Sequence, residues 1–190
     1  MTSRYWEIVA VCWFAFATTW AVAGLRVRAP KRRAPLGFTM INTAILYAGF
    51  IMLFLGRVQD TALGMRFAPD APIVSFAGVL LIVAGFAVAG WARWVLGANW
   101  SANVRIGEGQ RMVCGGPYAR VAHPIYSGIA LAALGTAIVG GSVGNFLGLV
   151  LVVVSFWQKG RREEQLMLAE FGDAYSAYRR GVKFMVPFVL

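Results

Sequence analysis

The chain has 190 residues, of which 59% are hydrophobic and 14% charged, with a mean hydropathy of +0.65. A soluble domain carries about a quarter charged residues, and here the apolar residues come in long runs, so a soluble fold is excluded and a single integral membrane domain over residues 1–190 is expected. The formal net charge of +10 sits beside the apolar runs and not in a polar domain with stacked aromatics, which points to membrane topology and lipid head groups as partners and away from nucleic acid.

Taken in order, the first apolar run, Tyr5 to Leu25, has the roughly 20 residues a bilayer-crossing helix needs. It is too long for a cleaved signal sequence and is expected to stay as a helix. Arg26, Arg28, Lys31, Arg32 and Arg33 follow, broken by Pro30 and Pro35, a strong cytoplasmic signal. The second helix is expected over Phe38 to Leu55, with Thr39, Asn42 and Thr43 facing other helices. A charge-balanced connector, Gly56 to Pro72, leads to a third helix from Pro72 to Trp94, whose Ala- and Gly-rich second half suits close helix packing.

From Gly97 to His123 the chain is polar. A fourth helix is expected from Pro124 to Val139 and a fifth from Val143 to Phe156, both short, joined by the uncharged turn Gly140 to Asn145. That pattern predicts a tight helical hairpin. A separate amphipathic helix is then expected after Lys159, ending at Gly181, with Phe184 to Leu190 as an apolar end returning to the bilayer. The predicted architecture is therefore all-α: five transmembrane helices, the last two a short hairpin, and a cytoplasmic amphipathic C-terminal helix. Residues 1–96 hold the first three helices and 97–190 the polar clusters.

Charge orients the bundle. With the N-terminus outside, only Arg4, Arg57 and Arg66 of the eighteen Lys and Arg lie outside, leaving fifteen inside. This favours N-out, C-in and places the polar clusters on the cytoplasmic side of the plasma (inner) membrane.

Two clusters could carry chemistry. Gly115 to Gly128 holds the single histidine. Pro124 fixes a helix start beside His123, whose free N–H groups favour an anion such as a carboxylate, and Gly116 and Gly128 would let a ligand approach the backbone. Read alone, this stretch also suits an interfacial anchor. Glu163 and Glu164 lie past the fifth apolar run. On a helix they point about 100° apart, so one is expected to face inward and the other water, with Lys159, Arg161 and Arg162 at hand for pairing; a solvated charge run is the alternative. Cys12 and Cys114 are read as free. One His and no carboxylate or Cys cluster with ligand spacing leave no metal site. No Gly-rich phosphate loop follows a strand, and no Asp, Glu or His lies in the middle of a predicted span to relay protons.

Together the clusters resemble a family. Gly116-Pro117-Tyr118, His123-Pro124-Ile125-Tyr126-Ser127-Gly128, a helical hairpin, Glu163-Glu164, Phe171-Gly172-Asp173-Ala174-Tyr175-Ser176-Ala177-Tyr178 and Pro187, in that order, are similar to the isoprenylcysteine carboxyl methyltransferases, within the membrane methyltransferases that include phospholipid N-methyltransferases. Trp100-Ser101 and Arg111-Met112-Val113 resemble the run-up. The resemblance implies S-adenosylmethionine as cofactor, S-adenosylhomocysteine as product and a lipophilic acceptor arriving from the bilayer. A carboxylate is the expected acceptor, with an amine or thiol as the alternative. It implies that Gly116, Pro117, Tyr118, His123, Tyr126 and Gly128 line one side of the cofactor pocket and Glu163, Glu164, Tyr175 and Tyr178 the other. Arg161 or Arg162 would position the acceptor, with Glu164 beside them in the catalytic group. The family has Arg immediately before the His-Pro pair; here that position is Ala122, with Arg120 as a candidate substitute. A non-catalytic membrane protein on the same scaffold is the competing reading.

Overall fold

Five apolar runs become five helices: α1 (Thr2–Gly24), α2 (Leu36–Leu55), α3 (Pro72–Leu96), α4 (Pro124–Gly140) and α5 (Val143–Gly181). The computed structural model describes residues 2–24, 30–56, 61–97, 105–107 and 112–186. The expectations at Trp100-Ser101, Arg111 and Pro187 lie outside them. Four helices, α1, α2, α3 and α5, are long and apolar enough to cross a membrane, while α4 is a shorter apolar helix of 17 residues. Phe14, Val22, Ile41, Tyr47, Ile73 and Trp94 stand exposed on the outer faces, the arrangement of a chain whose surroundings are lipid. The protein is an integral membrane protein.

The all-α architecture holds, and two details differ. The first is an added short antiparallel ribbon, Pro30–Arg33 (β1) paired with Arg105–Gly107 (β2), with Arg32 opposite Ile106 and Arg33 opposite Arg105. It ties the α1–α2 connector to the α3–α4 connector at one end of the bundle. The second concerns the C-terminal half, where no break separates a fifth span from an amphipathic helix. Instead α5 runs 39 residues from Val143 to Gly181, interrupted only by a kink at Gly172 (φ 51°). At 1.5 Å per residue that is ~58 Å, against ~30 Å of hydrocarbon, so its charged C-terminal half projects beyond the apolar layer.

Small residues set the packing. A Cβ on Gly85 would lie 2.4 Å from Gly128 O, and one on Gly135 2.3 Å from Gly78 O, so α3 and α4 touch backbone to backbone at two points two turns apart. Close approach through small residues is how membrane helices gain van der Waals contact without a hydrophobic drive. The α2–α5 seam repeats the device, with Gly148 against Gly49 and Gly144 against Gly56.

The α4–α5 turn is as tight as its sequence suggests. Ser142 caps α5 through Asn145, whose Nδ2 donates to Leu53 O at 2.8 Å. Arg66, from the α2–α3 connector, donates to Gly140 O at 2.9 Å. These contacts lock the end of the bundle opposite the ribbon. At the ribbon end the C-terminus folds back: Ala122 N donates to Lys183 O (2.8 Å) and His123 N to Phe184 O (3.1 Å). Ser127 Oγ donates to Met185 O. The apolar end predicted to return to the bilayer thus packs, as far as Val186, on the start of α4.

Candidate active site

The site forms where the first turn of α4 meets α5 past its apolar half. Gly116, with φ +59°, opens a single 3₁₀ turn, Gly116–Ala119, that buries Pro117 and Tyr118. His123 then caps α4 in a non-helical conformation ahead of Pro124. Its ring is buried, stacked on Tyr126 (5.5 Å between centroids) and met edge-on by Phe184 (4.8 Å). Gly160 makes room for both: a Cβ there would lie 2.8 Å from Phe184 Cζ and 3.2 Å from His123 Nε2.

His123 sits between the two glutamates of α5. Its Nδ1 is 3.5 Å from Glu163 Oε2 and its Nε2 3.9 Å from Glu164 Oε1. Tyr126 Oη donates to Glu163 Oε1 at 2.5 Å. The expectation that one glutamate would face water is corrected, since the side chains are 25% and 14% exposed. Adjacent helical side chains diverge, and the imidazole lies in the gap with one nitrogen toward each. Glu164 is also gripped by Arg179 Nε and, at 3.5 Å, by Arg161 Nη1.

The charge states follow from these contacts. Burial acts to discharge His123, but the two facing carboxylates of Glu163 and Glu164 outweigh it and raise its pKa above the ordinary value. Burial pushes Glu164 up, and His123 with Arg179 overcomes that and holds its carboxyl below the ordinary range. Burial, reinforced by Glu163, drives the Tyr118 phenol up. Burial pushes Tyr178 up to about 12. The phenols Tyr118 and Tyr178 are therefore neutral near pH 7, while the contacts favour the charged forms of His123 and Glu164. The site is equipped to hold and orient, and poorly equipped to abstract a proton.

The structure gathers His123, Tyr126, Glu163 and Glu164, with Tyr118 and Tyr178 linked at the rim, where Tyr178 Oη donates to Tyr118 O at 2.7 Å. Tyr175 is buried 5.9 Å from the Tyr178 ring. It does not gather every expected residue. Gly128 faces α3, where a Cβ would meet Gly85 O at 2.5 Å, so its smallness serves helix packing and not ligand approach. Gly116 lies against Val95 at the end of α3. Arg162 donates to Gln165 on its own helix at 2.6 Å, away from His123. The N–H groups of Ala122 and His123 are taken by the returning chain, which narrows the anion seat expected at the start of α4. Ala122 is buried, and Arg120 is exposed with its carbonyl bound to Lys183 N.

Arg179, Phe184 and Gly160 belong to the site and were not expected there, and Lys159, expected at hand for the glutamates, lies beside them. Lys159 Nζ stands over the Tyr126 ring, 5.5 Å from its centroid. Arg179 follows Tyr175 by one helical turn, a signal the spacing carried. Phe184 depends on the chain folding back, which no local pattern announces.

Comparison with known proteins supports the resemblance. The profile of the phospholipid methyltransferase family matches residues 73–174, more than half of the chain. Protein-S-isoprenylcysteine O-methyltransferase of Schizosaccharomyces pombe is 35% identical over 82 residues, 41% of this chain and 34% of that protein. The uncharacterized protein YpbQ of Bacillus subtilis is 27% identical over 127 residues, 67% of this chain and 74% of YpbQ. Among solved structures, the eukaryotic intramembrane Ras methyltransferase ICMT (isoprenylcysteine carboxyl methyltransferase) matches with a TM-score of 0.56 and 22% identity, over 80% of this chain and 53% of that one. The match thus spans about a third of the yeast enzyme and about half of the solved chain. The structural match establishes a shared fold, and the resemblance to the family is borne out.

Proposed function

The chain belongs to the phospholipid methyltransferase family, and from that premise we propose that it transfers a methyl group from S-adenosylmethionine to a lipophilic acceptor, a carboxylate foremost, at the cytoplasmic face of its membrane. The observation that carries this reading is the buried His123 ring held between Glu163 and Glu164, 3.5 and 3.9 Å from their carboxylates. When bound, the cofactor supplies a methyl group already activated on a sulfonium. The protein's part is then alignment and exclusion of water, which can supply ~7–11 kcal/mol. An anionic oxygen acceptor has no proton to lose, which suits a site that holds its own protons.

The donor set fits the cofactor. His123 Nε2 is buried without a hydrogen bond among the described residues. Two carboxylates can accept from a ribose diol or an ammonium group, and the Tyr175–Tyr178 pair offers aromatic faces for a purine or a sulfonium. Arg161, exposed, ion-paired to Glu164 and lying over the Phe184 ring at 5.1 Å, is placed for an anionic end of the cofactor. Arg179 positions Glu164. The test is incubation of the purified protein with methyl-labelled cofactor and a membrane extract. Label on a carboxylate oxygen of a lipophilic product is expected. Label on nitrogen or sulfur overturns the acceptor class, and no transfer overturns the enzyme in favour of a non-catalytic protein on the same scaffold.

A further inference from the structure

Residues Val143 to Gln158 carry no charge, and Lys159 is the first charged side chain met along α5 from its apolar half. Its ammonium lies over the Tyr126 ring, and the same phenol donates to Glu163 one helical turn further on. Tyr126 in turn stacks on Phe156 at 4.9 Å, with the rings 9° from parallel. A column of rings, Phe156, Tyr126 and His123, thus leads from the apolar layer to the paired glutamates, and Lys159 stands beside it at the threshold. Of the other cations at the site, Arg161 pairs with Glu164 and lies over the Phe184 ring, Arg179 grips Glu164, and Arg162 donates to Gln165.

We propose that Lys159 is the acceptor-binding residue, fixing the anionic oxygen of a single-chain lipophilic substrate at the apolar side of the Tyr126–Glu163 pair. This rests on the methyl-transfer reading and sharpens it by naming the residue that selects the acceptor's charge. A chain entering from the bilayer leaves its tail in the apolar layer and brings its head group to the first cation it meets. Glu163, one turn beyond, is tied to Tyr126 and His123, and it disfavours an anion that moves past Lys159. A cationic amine head group meets the ammonium first and is repelled. In the transfer, a lone pair of the bound carboxylate oxygen forms the new O–C bond as the C–S bond of the sulfonium donor breaks. The negative charge of the acceptor and the positive charge of the donor cancel, and no proton moves.

The experiment compares binding of dodecanoate, dodecanol and dodecylamine to the detergent-solubilised full chain by calorimetry, without methyl donor. Wild type binds dodecanoate about tenfold or more tighter than dodecanol, and dodecylamine most weakly, as expected for one charge-assisted hydrogen bond. Lys159→Met erases that preference while Lys159→Arg keeps it, and the far-ultraviolet circular dichroism of both variants matches wild type as the check on folding. Equal binding of the three probes to wild type, or an unchanged preference in Lys159→Met, overturns the proposal and leaves Lys159 an interfacial anchor. The methyl-transfer reading fails separately, if wild type keeps its carboxylate preference yet binds no S-adenosylhomocysteine.

Discussion

Tyr126 and Glu163 are joined by a 2.5 Å hydrogen bond that links the first turn of α4 to the far half of α5. The bond is short because its acceptor is a carboxylate, and charge-assisted bonds are both shorter and stronger than neutral ones. It fixes which oxygen of Glu163 faces His123. Tyr126→Phe removes the donor while leaving the ring stack on His123 and Phe156. The expected result is a loss of about 1.5–3 kcal/mol, read as a lower melting temperature and about tenfold weaker S-adenosylhomocysteine binding. Unchanged binding would show that the bond is structural only.

The His123–glutamate arrangement gives stability a pH dependence whose sign can be worked out. Because the folded pKa of His123 is raised, its contribution is complete below its ordinary value of 6.5 and is lost as pH rises through the raised value. Because the folded pKa of Glu164 is depressed, its contribution is complete above its ordinary value of 4.5 and is lost as pH falls through the depressed value. Both are fully present between those two ordinary values. Thermal melts in detergent should therefore be highest in that window and decline on the alkaline side first through His123. His123→Ala should remove the alkaline decline attributable to this ring. A melting temperature that climbs steadily from pH 6 to 9 would contradict the account.

Gly128 offers a different kind of test, since its family position invites a cofactor role and its surroundings do not. Gly128→Ala pushes a methyl group into Gly85 O and Ala89 N, at 2.5 and 2.7 Å. Backbone atoms cannot swing aside, so overpacking should cost about 1–3 kcal/mol. Gly90→Ala, on the same α3 but with nothing within 4 Å, should melt no lower than wild type. In the fraction of Gly128→Ala that stays folded, S-adenosylhomocysteine should bind as in wild type; selective loss of binding at unchanged stability would return Gly128 to the pocket.

Helix positions were largely legible because apolar run length measures a span directly. The starts at Pro72, Pro124 and Val143 and the end at Gly181 were marked by Pro, Ser142 and Gly. The continuity of α5 was hidden because charge begins at Lys159, and a change of solvent along a helix resembles the end of one. The ribbon was hidden because Pro30–Arg33 has no apolar alternation, and its pairing with Arg105–Gly107 is long-range. Within the site, His123, Tyr126 and the two glutamates could be named from their motif order. The convergence of both carboxylates on one imidazole could not, since it depends on the α4–α5 register set by the turn at Gly140 to Asn145. Phe184 required the chain's return past Gly181, and the packing role of Gly128 required knowing that Gly85 faces it.

The central claim is that His123, Glu163 and Glu164 form the seat of a nucleoside-bearing methyl donor. Calorimetric titration of the detergent-solubilised protein with S-adenosylhomocysteine measures this most directly. One-site binding to wild type is expected, with loss of binding in His123→Ala and in Glu164→Ala at temperatures where both remain folded. An absence of binding heat with wild type, or variants that bind as wild type does, would contradict it.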